Sequence, residues 1–411
     1  MSIENLRCKE CGATYQLDAH FACENCFGPL EVSYDLSGLD AAEAKRRIQA
    51  GSQGIWRYAD FLPFVGRPGD PLEPGLTPLL RADRLAERLG LDAELWVKND
   101  AANPTHSFKD RVVAVAVAKA RELGFKTVAC ASTGNLANAV AAHAAAAGLE
   151  SYVFVPANLE EQKLLATGIY GTNLVGVRGN YDDVNRLCTQ LAETRPWAFV
   201  NVNLRPYYAE GSKTLAYETA EQLGWNLPDR VVCPIASGSL FTKVGRGFQE
   251  WIDLGLVEGE QPIFNGAQAL GCSPVAKAFA EGWDVCKPQK PDTIAKSLAI
   301  GDPADGPYAL EQARRTSGAI DSVDDDEIRD GIQLLAETTG IFTETAGGVT
   351  VGVLAKLAER GDIGAGERVV VYITGEGLKT LDATRDRFQM HEIDPDLDSF
   401  EAEFKQQEVA V

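Results

Sequence analysis

A lysine, a quartet of cysteines and three small-residue turns are the places where this sequence could do chemistry. Lys109 lies in the stretch Asn103-Pro-Thr-His-Ser-Phe-Lys-Asp-Arg111. Pro104 lacks a backbone N–H and disfavours helix at Asn103, so the stretch opens as a turn. Ser107 reads as a helix start, because the apolar run from Val112 to Ala120 is too long for a strand, and Asp110 suits the positive end of a helix. Lys109 then falls in the first turn of a buried helix. An ammonium is costly to hold there, and the neutral amine is the nucleophile that Schiff-base chemistry requires. The alternative is a lysine that snorkels to solvent.

Cys8-Lys-Glu-Cys11 and Cys23-Glu-Asn-Cys26 form two knuckles whose inner members are 12 positions apart. Four thiolates meet the tetrahedral preference of zinc, and Gly12 and Gly28 permit the turns such knuckles need. The gap is shorter than the commonest ribbon spacing, though a small hairpin closes it. Four sulphur ligands leave no open coordination position, so a metal here is structural; the alternative is a ribbon that has kept its cysteines without metal.

The turns need elements to carry them. Thr127–Ala131, Ser151–Val155, Arg230–Ile235 and Arg368–Ile373 read as buried strands, and Glu94–Lys98 as the strand that delivers the chain to Lys109. Strands and apolar helices alternate, which predicts an α/β protein with parallel sheets and ligands at the carboxyl ends of the strands. Ser132-Thr-Gly-Asn135 stands at one such end, before an Ala-rich helix, where hydroxyls and free amides make a carboxylate cradle or an ordinary cap. Ala236-Ser-Gly-Ser-Leu240 follows another strand and reads as a phosphate nest. Thr374 ends a third.

At 411 residues the chain has room for two or three domains. Its 59 acidic and 39 basic residues give a net charge of −20, which speaks against nucleic acid or an anionic membrane as a partner. A small anionic substrate would need a locally positive pocket. No apolar run is long enough to span a membrane, the first residues lack the pattern of a secretion signal, and nine cysteines form an odd set. These features predict a cytoplasmic protein with thiols rather than disulfides. A short helix (Ala41–Ala50) and a Gly/Pro-rich stretch (Phe64–Gly75) read as an arm, and the acidic end as a peripheral tail or helix.

The lysine stretch resembles the Asn-Pro-Thr-x-Ser-Phe-Lys-Asp-Arg pattern of threonine synthases, fold-type II enzymes dependent on pyridoxal phosphate. Ser132–Asn135, Pro234–Leu240 and Thr374-Gly-Glu-Gly-Leu-Lys379 resemble the family's other landmarks in the same order. Thr77-Pro-Leu, the Glu210-Gly-x-Lys-Thr segment, Gly340–Gly348 and the ribbon at Cys23–Asp35 are also similar to it. The resemblance implies a tryptophan synthase β-like fold: a zinc-ribbon-like segment (1–35), an arm (36–76), a larger cofactor-binding domain (77–110 and 204–390), a smaller mobile domain (111–203) and a tail (391–411).

It further implies pyridoxal 5'-phosphate joined to Lys109 and surrounded by Phe108, Asn135, Ala236, Ser237, Gly238, Ser239, Leu240 and Thr374. Asn135 would face the ring hydroxyl and Thr374 the pyridine nitrogen, while Ser132, Thr133 and Asn135 take the substrate carboxylate. The loop at 236–240 departs from the family's more glycine-rich Gly-Asn-x-Gly-Asn, so its contacts differ. Arg205 is a candidate for the substrate phosphate, but the family's arginine does not fall at this offset, and a surface arginine is the alternative. Cys8, Cys11, Cys23 and Cys26 would hold zinc. His143 is expected as a packing residue, neither it nor His106 needs a catalytic role, and Glu344 is expected to be solvated or to support the site. The implied reaction turns O-phospho-L-homoserine and water into L-threonine and phosphate; a cysteate synthase, a threonine deaminase or an inactive binding homologue are the alternatives. Family members are often homodimers.

Overall fold

The computed structural model describes residues 2–66, 68–69, 71–179 and 181–404. The chain opens with β1 (Ser2–Cys8), β2 (Thr14–Tyr15) and β3 (Leu30–Asp35), an antiparallel sheet in the order β2-β1-β3. Helix α1 (Ala41–Gln49) follows, capped by Asp40, whose carboxylate accepts from the Glu43 amide. Then come β4 (Leu79–Arg81), α2 (Asp83–Arg88), β5 (Glu94–Asn99) and α3 (Lys109–Glu122).

Strict alternation follows: β6 (Thr127–Ala131), α4 (Asn135–Ala147), β7 (Glu150–Pro156), α5 (Glu161–Gly168), β8 (Asn173–Val177), α6 (Tyr181–Thr194) and β9 (Ala198–Phe199). These strands form one parallel sheet, ordered β8-β7-β6-β9. Every residue of β6 is buried, as a strand covered on both faces requires.

The chain then runs through α7 (Arg205–Glu210), α8 (Lys213–Gln222), β10 (Arg230–Pro234), α9 (Ser239–Asp253), β11 (Ile263–Ala269), α10 (Pro274–Ala280) and α11 (Gly306–Arg315). Last are β12 (Ile320–Val323), α12 (Asp325–Thr339), α13 (Thr345–Glu359), β13 (Arg368–Ile373) and α14 (Leu397–Phe404). The second sheet is ordered β12-β11-β10-β13-β5-β4 and is parallel except for the edge strand β4. Successive residues of its central strands feed opposite cores: Val370 and Tyr372 pack with Val231 and Phe241, whereas Val369, Val371 and Ile373 pack with Val232 and Val349. Of the tail expected at 391–411, α14 has no buried residue, and 405–411 lie outside the described residues. No helix among the described residues is long and apolar enough to cross a membrane.

Two buried charge clusters fasten the parts. Arg111 forks onto Asp100 (2.7 and 2.8 Å) and Glu218 (2.7 and 2.9 Å), and Lys98 also donates to Glu218 (2.5 Å), joining α3 to β5 and α8. Burial alone would depress the Arg111 guanidinium, but the two carboxylates outweigh it and raise it well above its ordinary value. The second cluster seats the N-terminal sheet. Tyr34 donates to Glu210 (2.6 Å), Lys243 pairs with Glu31 (3.1 Å), and the Tyr207 hydroxyl donates to the Asp18 carbonyl (3.0 Å). Tyr308 of α11 bonds Glu10 and lies beneath the Lys9 ammonium, 3.4 Å from its ring centre. Leu6, Leu30 and Val32 enter the same apolar core as Val112, Val128 and Val140.

Candidate active site

The Lys109 loop is woven into the end of β13. Ser107 bridges to Gly375, the Phe108 amide donates to the Thr374 carbonyl (2.9 Å), and the Glu376 amide donates to His106 (3.2 Å). His106 closes the turn with φ 62° and points its side chain to solvent. Asp110 does more than complement the helix: its carboxylate accepts from the Thr105 amide (2.8 Å) and hydroxyl (2.9 Å), folding the loop back on the helix. The helix accordingly begins at Lys109 rather than at Ser107. His143, expected as a packing residue, is buried with its Nε2 2.9 Å from Asp110 Oδ1. Lys109 is half-buried, and its Nζ donates to the Tyr208 hydroxyl at 3.0 Å, with the Phe108 ring centre 4.6 Å away.

Asn135 opens α4, and both ends of its amide are engaged. Its Nδ2 donates to Glu344 (3.0 and 3.1 Å), and its Oδ1 accepts from Lys379 Nζ (2.8 Å), which also donates to the Thr105 carbonyl (2.6 Å). Glu344, one of whose expected settings was solvent, is instead buried against the Asn135 amide. Burial lifts its carboxyl above the usual range against the pull of Asn135 and Lys379, and burial likewise lowers Lys379. A Cβ on Gly375 would stand 2.4 Å from Glu344 Oε1, so a side chain there would push the Glu344 carboxylate off Asn135. Ser132 is buried, its Oγ accepting from the Gly134 amide (3.3 Å), and Thr133 is half-buried beside it. No side chain caps α4 behind Gly134.

The segment from Ala236 to Leu240 links β10 to α9. Gly238 takes φ 97°, and a Cβ there would meet the Asp305 carbonyl oxygen at 2.7 Å. The Asp305 amide donates to the Ser237 carbonyl (2.8 Å), and α9 begins at Ser239 without a side-chain cap. Arg205 pairs with Asp305 (2.8 Å) and lines a narrow hollow with Ser239, Thr242, Lys243 and Lys9. Thr374 is buried next to Phe108.

Lys109, Phe108, Thr374 and Asn135 are thus drawn together by hydrogen bonds through Thr105 and Lys379. The turns at 132–135 and 236–240 stand at the carboxyl ends of β6 and β10, and Arg205 stands beside the second. Their chemistry fits pyridoxal phosphate. An amine is available, two helix N-termini lack side-chain caps, and the Ser107 hydroxyl is buried without a hydrogen-bond partner. Reading the sequence missed Tyr208, whose sole signal is a tyrosine doublet before Glu210, and missed that Lys379 holds Asn135. The four cysteine sulphurs lie within 4.8 Å of one another, with Cys8 and Cys26, and Cys11 and Cys23, at 3.5 Å. Thiolates about 2.3 Å from a shared zinc stand roughly 3.8 Å apart, so the quartet fits one. The Tyr15 hydroxyl, 3.1 Å from Cys23, helps hold that thiol down at about 6.

Residues 71–375 match the model of the pyridoxal-phosphate dependent enzyme family. The fold is also found in solved structures: the processed form of threonine deaminase isoform 2 from Solanum lycopersicum (TM-score 0.65, 20% identity, 91% of this chain and 90% of that one) and maize serine racemase (TM-score 0.62, 18% identity, 90% and 97%). Nearer in sequence are threonine synthases. That of Methanocaldococcus jannaschii is 38% identical over 92% of this chain and 93% of its own, and that of Methanosarcina acetivorans 39% over 91% and 92%. The chain belongs to the pyridoxal-phosphate-dependent enzymes of fold type II, and among them to the threonine synthase family.

Proposed function

We propose that this protein converts O-phospho-L-homoserine and water into L-threonine and phosphate. The observation that carries the reading is the convergence of the Lys109 amine, Thr374 and the start of α4 at one place in the fold. Pyridoxal phosphate, when bound, supplies the electron sink for carbanion chemistry. Lys109 would anchor it, and the free Lys109 amine would take and return protons at the substrate's α and β carbons. Ser132, Thr133 and the first amides of α4 bind the substrate carboxylate. Ser237, Ser239 and the first amides of α9 would hold the cofactor phosphate, and the neutral Thr374 hydroxyl would partner the pyridine nitrogen without forcing a proton onto it. Asn135, aimed by Glu344 and Lys379, would hold the ring hydroxyl. Arg205 reaches the substrate phosphate by exchanging its Asp305 partner. The smaller domain, residues 111–203, closes over the larger one and keeps water out until its turn in the reaction. Cys8, Cys11, Cys23 and Cys26 hold a structural zinc, and the enzyme works in the cytoplasm as a homodimer.

The test incubates purified protein with O-phosphohomoserine or O-phosphoserine, with and without sulfite, and quantifies phosphate and amino acid. Equal amounts of threonine and phosphate from phosphohomoserine are expected, with the rate lowered about 10³-fold or more in Lys109→Ala. Cysteate from phosphoserine and sulfite would move the assignment to a cysteate synthase.

A further inference from the structure

We propose that Tyr208 is a catalytic residue whose hydroxyl holds Lys109 Nζ in place whenever the lysine is not bonded to the cofactor. The inference rests on the reaction class proposed above, in which Lys109 alternates between anchor and base. While detached, its nitrogen must stay at the reacting carbons although its four-carbon stem is flexible, and it must do so both as an amine and as an ammonium. Tyr208 is its hydrogen-bond partner, at 3.0 Å. A hydroxyl donates to the lone pair of a neutral amine and accepts from an ammonium, so one phenol serves both states with no net loss or gain of a proton. A carboxylate in the same place would favour the ammonium and keep the lysine from acting as a base.

The surroundings of Tyr208 are built to fix that oxygen. Helix α7 packs against α3, the helix that Lys109 opens. The preceding residue, Tyr207, is fully buried and its hydroxyl is tied to the Asp18 carbonyl. Two residues further on, the buried Glu210 carboxylate is gripped by Lys213 (2.8 Å), Lys243 (2.8 Å) and Tyr34 (2.6 Å). Tyr208 itself is half-buried, as Lys109 is, so neither side chain is sealed inside the core. Anchors on either side of a half-exposed phenol are what positioning a mobile amine requires.

Tyr208→Phe removes the oxygen and keeps the ring. In the holoenzyme, the cofactor content and absorbance should match the parent. The kcat on phosphohomoserine should fall about 10²-fold with KM changed only a few-fold. The isotope effect on kcat with α-deuterated substrate should rise, because proton removal by a poorly held amine becomes the slow step. A variant with kcat within about twofold of the parent, or one whose isotope effect is unchanged while cofactor is lost, would overturn the assignment. Exchange of the α-proton into D2O, followed on whichever of phosphohomoserine, phosphoserine and L-threonine the parent binds, separates the two readings. If the parent fails to make threonine yet exchanges the proton, slower exchange in Tyr208→Phe still supports the role of Tyr208, and equal exchange refutes it.

Discussion

Glu344 shows what a single environment does to a glutamate. It stands in a polar run, Thr343-Glu-Thr345, that gives no sign of burial, yet it is shut between Gly375 and the Asn135 amide. A carboxyl whose folded value lies above its unfolded one favours the fold at low pH and costs stability as pH climbs through the raised value. Glu344→Gln keeps an acceptor for Asn135 and removes the titration. The cofactor-free variant should therefore gain on the parent as pH rises above the unfolded value near 4.5, read as the difference in urea midpoint between acidic and neutral buffer. A pH-independent difference would show that the Glu344 carboxyl titrates alike in the folded and unfolded chain. Lys109, Asn135 and Thr374 were legible because each sits in a contiguous run that matches a family pattern. The tie among Asn135, Glu344 and Lys379 spans 209 and 244 positions of sequence, and no local pattern encodes it.

Elements were legible where the physical signal was strong. The strands read at Thr127–Ala131 and Arg368–Ile373 match β6 and β13 at both ends, because continuous runs of small and β-branched residues bounded by polar ones fix them. Strand β4 has three residues, and α7 has six with a proline in its first turn; neither is long enough to show a period. That short helix nevertheless carries Arg205, Tyr208 and Glu210. Burial would raise the Glu210 carboxyl, but Lys213 and Lys243 outweigh it and hold it at about 2. Its contribution to stability is thus full above its unfolded value and fades as pH falls toward about 2. Glu210→Gln, which leaves two buried ammonium groups short of a partner, should cost about 3–5 kcal/mol at neutral pH in denaturant titration, and less in acid. An equal cost at both pH values would mean that the helix is held by packing rather than charge.

Across the whole molecule, a net charge of −20 coexists with a site rich in hydrogen-bond donors, since helix N-termini offer positive ends without adding formal charge. The cysteine spacing made the N-terminal sheet legible, but not where it docks, because its partners lie on α7, α9 and α11. The purified protein should carry about one zinc per chain, lost in Cys23→Ser together with several degrees of melting midpoint, while the cofactor absorbance persists. A metal-free variant as stable as the parent would deny zinc a structural role.

The contact between Glu10 and Tyr308, 298 positions apart, also bears on how the protein is made. The N-terminal sheet leaves the ribosome well before the residues that receive it, Glu210, Lys243 and Tyr308. At about 5–20 residues per second the wait is on the order of 15–60 s. The apolar core that Leu6, Leu30 and Val32 enter is built from Val112, Val128, Val140 and their neighbours, all translated before Tyr308, so the oily face of the sheet gains its cover first and the polar clamp closes on it afterwards.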